Sequence, residues 1–447
     1  MDAQTLAAYD RPVPRYTSYP TAAQFHGGVG PVEHRAWLGD LAGTCSTIYL
    51  HVPFCARLCW YCACNTSAMN RPESLDTYGR ALAREIDLLA AAVPDLLVGT
   101  VQWGGGTPSQ LGAERIAAVA RRIASSFDRR SGSETSMEID PRYCDDALVG
   151  TMKEIGVTRA SLGVQDFDIE VQRAINRLQS VEDTASAIAR LRGAGIARIN
   201  IDLVYGLPRQ TRDTLSRTLD AALELAPDRF AIFAYAHVPW MKARQRLIEE
   251  ASLPAAADRA AMAALVAERL VEGGYVRVGL DHYARPSDPL ATAAGRGLLR
   301  RSFQGYVVDE QPWVVGLGAS AISSLPRGYS QNAADAARYR TQIEAGSFAT
   351  VRGLELSAAD RLRGEIIERL MCTFAVDLGA VCRRHDASPE LVLAEAGALP
   401  ALIGDGLVRR EGDRLQVTER GRPLVRFVCA AFDPHLAHVD GRHSRGI

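Results

Sequence analysis

In the stretch 49-YLHVPFCARLCWYCACN-65, Cys55, Cys59 and Cys62 follow one another at spacings of four and three residues, directly behind the β-branched and apolar run 47-TIYLHV. Such a run reads as a buried strand, so the cysteines leave its C-terminal end. Three thiolates this close suit one compact metal centre. A four-cysteine zinc site is the structural alternative, but its usual ligands come as two separated pairs rather than one run, which favours iron and sulfur. With three thiolates on three irons of a four-iron cluster, the fourth iron is open to a non-protein ligand, and an open iron implies catalysis.

Outward from this strand the chain alternates short β-branched segments with longer Ala/Leu/Arg stretches. Strands are predicted near 100-TVQW, 136-SMEID, 160-ASLGV, 198-RINIDLVY and 230-FAIFAYA, and a further one near 275-YVRVGLD. Helices are predicted between them, including 75-LDTYGRALAREIDLLAAA and 181-VEDTASAIARLRGAG, with Gly195 as a C-terminal stop. This βα alternation gives parallel strands covered by helices, either a doubly wound sheet or a full or partial barrel, with the chemistry at the strand C-termini in both. An irregular arm precedes it. From about residue 331 the pattern changes to helices near 358–374 and 389–397, then helix, hairpin and helix from 404.

The polar residues fall where that architecture would place a site. The glycines of 103-WGGGTPS permit positive φ and close approach of main chain to a ligand. Glu138, Gln165 and Asp202 stand at the ends of later strands, facing one mouth.

Composition removes other classes. The chain has 447 residues, 47% hydrophobic and 23% charged, within the range of globular proteins. Lys plus Arg number 51 against 52 Asp plus Glu, so no global basic field exists to hold nucleic acid. The N-terminus lacks the basic start and apolar run of a secretory signal, and no stretch is long and apolar enough to span a membrane, so a cytoplasmic location is expected. Nine cysteines, four of them crowded at 55–64, read as metal or redox chemistry in a reducing compartment.

The C-x3-C-x2-C loop resembles the radical S-adenosylmethionine superfamily. Over nearly the whole chain, 14-PRYTSYPTA, 102-QWGGGTP, 163-GVQDFDIEVQRAINR, 200-NIDLVYGLPRQT, 235-YAHVP, 281-DHYARP, 303-FQGY and 417-VTERGR resemble the oxygen-independent coproporphyrinogen III oxidase family. That resemblance implies an α/β fold: a partial (β/α)6 TIM-like barrel of parallel strands at 46–330, an N-terminal arm at 1–45 and a smaller, mostly helical domain with a short hairpin at 331–447. It implies one [4Fe-4S] cluster on Cys55, Cys59 and Cys62, and S-adenosylmethionine beside it at Tyr49, Gly105, Glu138 and Ile322. A second S-adenosylmethionine would meet Tyr61, Gly106, Thr107, Gln165, Arg177, Asp202 and Ala236. Tyr61 stands where the family has Phe. The implied substrate is coproporphyrinogen III, with a flavodoxin or ferredoxin as electron donor, an unidentified electron acceptor, no nucleic acid and a monomeric chain.

Cys64 is not expected to bind iron, because a fourth thiolate would close the position the cofactor needs. Arg11, Arg15, Arg57 and Arg177 are candidate partners for substrate carboxylates, Arg177 foremost. His51, His237 and His282 read as structural, and 316-GLGASA as a turn near the cofactor. Alternatives within the superfamily are a haem chaperone, against which Cys64 and the arm argue, and a tetrapyrrole-directed radical methyltransferase.

Overall fold

The computed structural model describes Thr5 and residues 8–308, 311–438 and 443–446. Six strands, β1 (Cys45–Val52), β2 (Leu97–Gly105), β3 (Arg129–Ile139), β4 (Arg159–Gln165), β5 (Arg198–Tyr205) and β6 (Arg229–Ala234), lie side by side in chain order, each parallel to the next. A doubly wound sheet would reverse its strand order at a switch point, and this one does not. Helix α1 (Pro31–Gly39) precedes β1; α2 (Pro72–Ala92), α3 (Ala113–Ser126), α4 (Asp146–Glu154), α5 (Val181–Gly193) and α6 (Arg212–Glu224) fill the crossovers, and α7 (Ala256–Glu272) follows β6.

Local chemistry accounts for these elements. In α2, Leu75, Tyr78, Leu82, Ile86 and Leu89 recur every three or four residues and are all buried. The Ser180 side chain accepts from the Asp183 N–H to open α5. Gly195, at φ +90°, closes that helix as its sequence implied, since a left-handed residue lets trailing N–H groups reach the last carbonyls.

The sheet curves. Residues of β1 (Tyr49), β2 (Gly105), β3 (Glu138), β5 (Tyr205) and β6 (Ile232) line one cavity, whereas five flat inter-strand spacings would set β1 and β6 about 24 Å apart. The result is the partial barrel.

Four differences from the sequence-based expectation stand out. The segment near 275 forms not one strand but two short ones, β7 (Val276–Val278) and β8 (His282–Ala284), antiparallel to each other and to β6. On the other side of β1 the sheet gains β9 (Val314–Leu317), parallel to β1, and then β10 (Ile322–Ser324), β11 (Gly328–Asn332) and β12 (Thr350–Glu355), all antiparallel. The boundary placed at 330 therefore falls inside β11, and the sheet runs on to Glu355. β9 is apolar but only four residues long, and β10 to β12 are short and largely polar, so no long strand pattern announces them. Finally, the hairpin read in the C-terminal region is part of a three-stranded sheet, in the order Ala375–Asp377, Arg414–Val417, Val408–Glu411.

The arm is not one unit. Val29, Trp37, Leu38 and Leu41 belong to the barrel core. Tyr9, Val13, Tyr16 and Tyr19 instead pack into the C-terminal core with Ile366, Leu370, Phe427 and Phe432. The first turn of chain thus crosses the barrel mouth to complete the distant domain.

Candidate active site and cofactor cavity

The cysteine loop is held from every side by main-chain contacts. Phe54–Cys55 pairs with Ser67–Ala68. The N–H groups of Gly106 and Thr107 donate to Val52 O and Phe54 O, each at 2.8 Å. A Cβ on Gly106 would lie 2.6 Å from Phe54 O, so only glycine allows this approach. From the far side Trp60 N donates to Ile175 O, Asn176 Nδ2 to Leu58 O and Gln245 Nε2 to Tyr61 O.

Each predicted ligand sulfur has donors around it. Thr107 Oγ1 donates to Cys55 Sγ at 3.5 Å, and Thr66 Oγ1 lies 3.1 Å from the same sulfur. Arg177 Nη1 donates to Cys59 Sγ at 3.5 Å and the Cys64 N–H to Cys62 Sγ at 3.4 Å. Hydrogen bonds from the Cys64 side chain and main chain hold the Cys62 thiol below its ordinary pKa, whereas burial raises that of Cys55. Among the described residues, no three His, Cys, Asp or Glu side chains converge on a single ion; thiolates spread over three irons do not require such a point. A flexible loop pinned by backbone, with thiols supplied with hydrogen-bond donors, fits a cluster that must be held at one end and open at the other.

The end of the loop, at Cys64 and Asn65, borders a cavity of about 1130 Å³, somewhat above the ~300–1,000 Å³ usual for ligand pockets, and Cys55, Cys59 and Cys62 lie outside its lining. Tyr49, Gly105, Glu138 and Ile322 line it together, with His51, Cys64 and Ser320. Glu138 accepts from the Gly105 N–H at 3.1 Å, and burial, reinforced by the Asp202 charge, pushes its pKa up to about 8. A cationic ligand group there would favour the carboxylate. His51, pushed down to about 4 by burial, is a neutral imidazole between Tyr49 OH, Asn65 O and Ser320 Oγ. The turn read in 316-GLGASA brings Ser320 and Ile322 to this wall; its Gly318 and Ala319 N–H groups donate to Glu85 and Tyr78.

The other predicted residues gather outside that lining. Arg177 Nη2 donates to Gly163 O, and Gln165 Nε2 lies on the same face of Gly163. Gln165 holds φ +75° at the end of β4, a backbone conformation that costs energy for a side-chain-bearing residue and collects at functional sites. Asp202 accepts from Ser161 and Asn200, and Ala236 O accepts from Gln245. The Tyr61 ring rests on Val171, Ile175, Val204 and Leu207.

Three assignments of carboxylate partners fail. Arg177 is 6% exposed and already bound to Asp140 at 3.1 Å, which outweighs the cost of burial and keeps its pKa high. Arg11 lies over the Phe427 ring, and neither it nor Arg57 reaches the cavity, which Arg15 does. The sequence reading missed Arg301, Arg426, Arg259 and Asp281, which line the cavity from the hairpin near 303, the C-terminal domain, α7 and the start of β8. The motifs 281-DHYARP and 303-FQGY marked two of those places without assigning the charges.

Comparison with known proteins agrees with this geometry. Residues 49–222 match the Radical SAM superfamily and residues 356–424, which begin where the sheet ends, match the HemN C-terminal domain. The chain is 46% identical to oxygen-independent coproporphyrinogen III oxidase of Bradyrhizobium diazoefficiens over 100% of both chains. It is 39% identical to the Pseudomonas aeruginosa protein of the same name, over 98% of this chain and 97% of that one. The solved structure of coproporphyrinogen III oxidase (HemN) from Escherichia coli, a radical SAM enzyme, superposes with a TM-score of 0.90 at 35% identity, covering 94% of this chain and 97% of that one. With relatives of that name matched at up to 46% identity over the whole chain and a solved structure of the same fold over nearly all of it, this chain belongs to the oxygen-independent coproporphyrinogen III oxidase family of the radical S-adenosylmethionine superfamily.

Proposed function

We propose that this protein converts two propionate side chains of coproporphyrinogen III to vinyl groups without oxygen, giving protoporphyrinogen IX for haem synthesis. The observation that carries the reading is the three-cysteine loop held beside a cavity of about 1130 Å³, which the end of the loop (Cys64, Asn65) lines together with Tyr49 and Glu138. When bound, the [4Fe-4S] cluster and S-adenosylmethionine supply a 5'-deoxyadenosyl radical, which abstracts hydrogen atoms. Each reacting propionate loses a hydrogen atom from its β-carbon, then carbon dioxide and one electron, and is left as a vinyl group.

The chain's own residues prepare this chemistry. Cys55, Cys59 and Cys62 hold the cluster; Thr66, Thr107 and Arg177 orient two of their sulfurs. Glu138, aimed by the Gly105 N–H, accepts from the amino group of S-adenosylmethionine, with Tyr49 and Ile322 on the same wall. Gln165, Arg177 and Asp202, with Tyr61, Gly106, Thr107 and Ala236, receive a second S-adenosylmethionine; the Gln165 and Arg177 side chains beside Gly163, outside the lining that holds Tyr49, Glu138 and Ile322, support a second place. The arm crossing to the C-terminal core covers the mouth and keeps solvent from a carbon radical. A monomer, a flavodoxin or ferredoxin donor and a separate electron acceptor complete the reading. Free thiols in a cluster-binding loop suit the reducing cytoplasm, and no described helix is long and apolar enough to cross a membrane.

An anaerobic assay of the iron-reconstituted chain with S-adenosylmethionine, a strong reductant, an oxidising cell extract and coproporphyrinogen III tests this. Mass spectrometry should find 5'-deoxyadenosine and decarboxylated tetrapyrrole together. 5'-Deoxyadenosine without decarboxylation would overturn the substrate, and neither product from an intact cluster would overturn the enzyme.

A further inference from the structure

Guanidinium groups from three separate parts of the chain meet at one wall of the cavity: Arg15 from the arm, Arg301 from the hairpin Arg300–Val307 and Arg426 from the C-terminal helix Val425–Ala430. Each is fixed by a main-chain carbonyl. Arg15 Nη2 donates to Ala234 O at 2.8 Å, Arg301 Nε to Tyr16 O at 3.2 Å and Arg426 Nη2 to Gly446 O at 2.7 Å. Arg301 also lies 4.4 Å from the Tyr306 ring centroid. Arg301 Nη2 also faces Asp281 Oδ2 at 3.6 Å. Arg301 Nη1 and Arg426 Nε are buried without a hydrogen-bond partner, on residues whose side chain or whole surface is only 6% and 8% exposed.

The charge count at this wall does not close. The carboxylate that faces all three is Asp281, 3.6 Å from Arg301. Arg259, close by, is matched by Asp10, and Glu419 by Arg422. Among the described residues, three arginines face one aspartate, which pairs with Arg301 and leaves Arg15 and Arg426 without a carboxylate partner of their own. Burial and the neighbouring Arg15 and Arg301 depress the Arg426 pKa to about 10, as expected for cations held together without their counter-ions. Buried charge left unpaired is costly, so a wall built this way is complete only when anions occupy it.

We infer that Arg15, Arg301 and Arg426 receive the two propionate carboxylates that the substrate keeps throughout the reaction, and so turn the other two toward Tyr49, Glu138 and the cysteine loop. The inference rests on the proposed reaction. Guanidinium pairs with carboxylate through parallel N–H bonds, which fixes direction as well as charge. Because these carboxylates survive into the product, the wall grips substrate and product alike. Its loss therefore weakens binding and raises KM, with a smaller effect on kcat.

Binding to the full-length chain without cluster separates the possibilities, with coproporphyrin III, its uncharged tetra-amide and protoporphyrin IX as probes, followed by porphyrin fluorescence. Wild-type chain should bind coproporphyrin III at least about tenfold tighter than the tetra-amide, and Arg301→Met and Arg426→Met should each lose about tenfold or more for both free acids while binding the tetra-amide unchanged. Arg426→Lys should recover part of the loss, which separates charge from packing. If the wild-type chain binds the tetrapyrrole and, once reconstituted with its cluster, decarboxylates coproporphyrinogen III, but the variants keep the full preference for the acids or lose the tetra-amide equally, the arginine receptor is overturned and the reaction stands. Wild-type chain that neither binds nor decarboxylates a tetrapyrrole overturns the reaction itself.

Discussion

Cys64 shows how two residues of one type in one loop acquire different roles. Cys62 receives the Cys64 N–H at its sulfur, while Cys64 turns to the cavity that also holds Tyr49 and Glu138. The Cys64 side chain, held protonated by a hydrogen bond to Cys62 and by burial, offers no fourth thiolate, in keeping with three cluster ligands and one open iron. Replacing Cys62 with Ser should therefore lower the iron bound after reconstitution and abolish the near-ultraviolet and visible absorption of the cluster. Cys64→Ser should retain iron and absorption close to wild type. Iron analysis and absorption spectra of both variants decide this, and a Cys64→Ser protein without iron would make Cys64 a ligand. The same scale explains why arginine assignments from sequence misfired: nothing in the string distinguishes Arg177, tied to Asp140, from Arg426, whose Nε has no partner.

Between elements, the carboxylate of Glu85 on α2 anchors the turn that carries Ser320 and Ile322 to the cavity. It accepts from Gly318 N at 2.7 Å, Asn332 Nδ2 at 2.7 Å and Tyr339 OH at 2.6 Å while only 1% exposed. Burial outweighs these donors and raises its pKa from 4.5 to about 7. In the unfolded chain Glu85 releases its proton near pH 4.5; the folded chain holds it to about 7. Across that window the folded state binds more protons, so stability falls as pH rises, by about 3 kcal/mol for this group once both states are ionised. Glu85→Gln, neutral throughout, should gain stability relative to wild type between pH 4.5 and 8, read from denaturant midpoints. A difference that does not change with pH would show that Glu85 is not protonated in the fold.

At the scale of the whole molecule, the arm, the barrel and the C-terminal domain make one enclosure. Tyr9, Val13, Tyr16 and Tyr19 are each at most 5% exposed in the C-terminal core, and burial of such side chains is worth about 1.5–3 kcal/mol each. Deleting residues 1–20 removes them with Arg15. The expected outcome is a lower melting temperature and loss of coupled decarboxylation, followed by calorimetry and product analysis. Full turnover by the truncated chain would end the covering role of the arm.

Much of this protein is local in origin and was therefore open to reading from its sequence. Strands β1, β2, β4, β5 and β6 and the end of β3 carry β-branched or apolar residues that announce them, the stop at Gly195 follows from backbone sterics, and the spacing of Cys55, Cys59 and Cys62 is a property of one loop. Tertiary structure alone decided what depends on distant partners. Strand β9 is too short, and β10 to β12 too short and polar, to stand out; β9 pairs along the edge of β1 and the others add to it in turn. The arm divides between two cores because its tyrosines find apolar surface in the far domain. The charged wall arises because Arg15, Arg301 and Arg426, separated by hundreds of residues, are brought together by the fold. Pairing and burial set the role of a charge, and both are properties of neighbours in space.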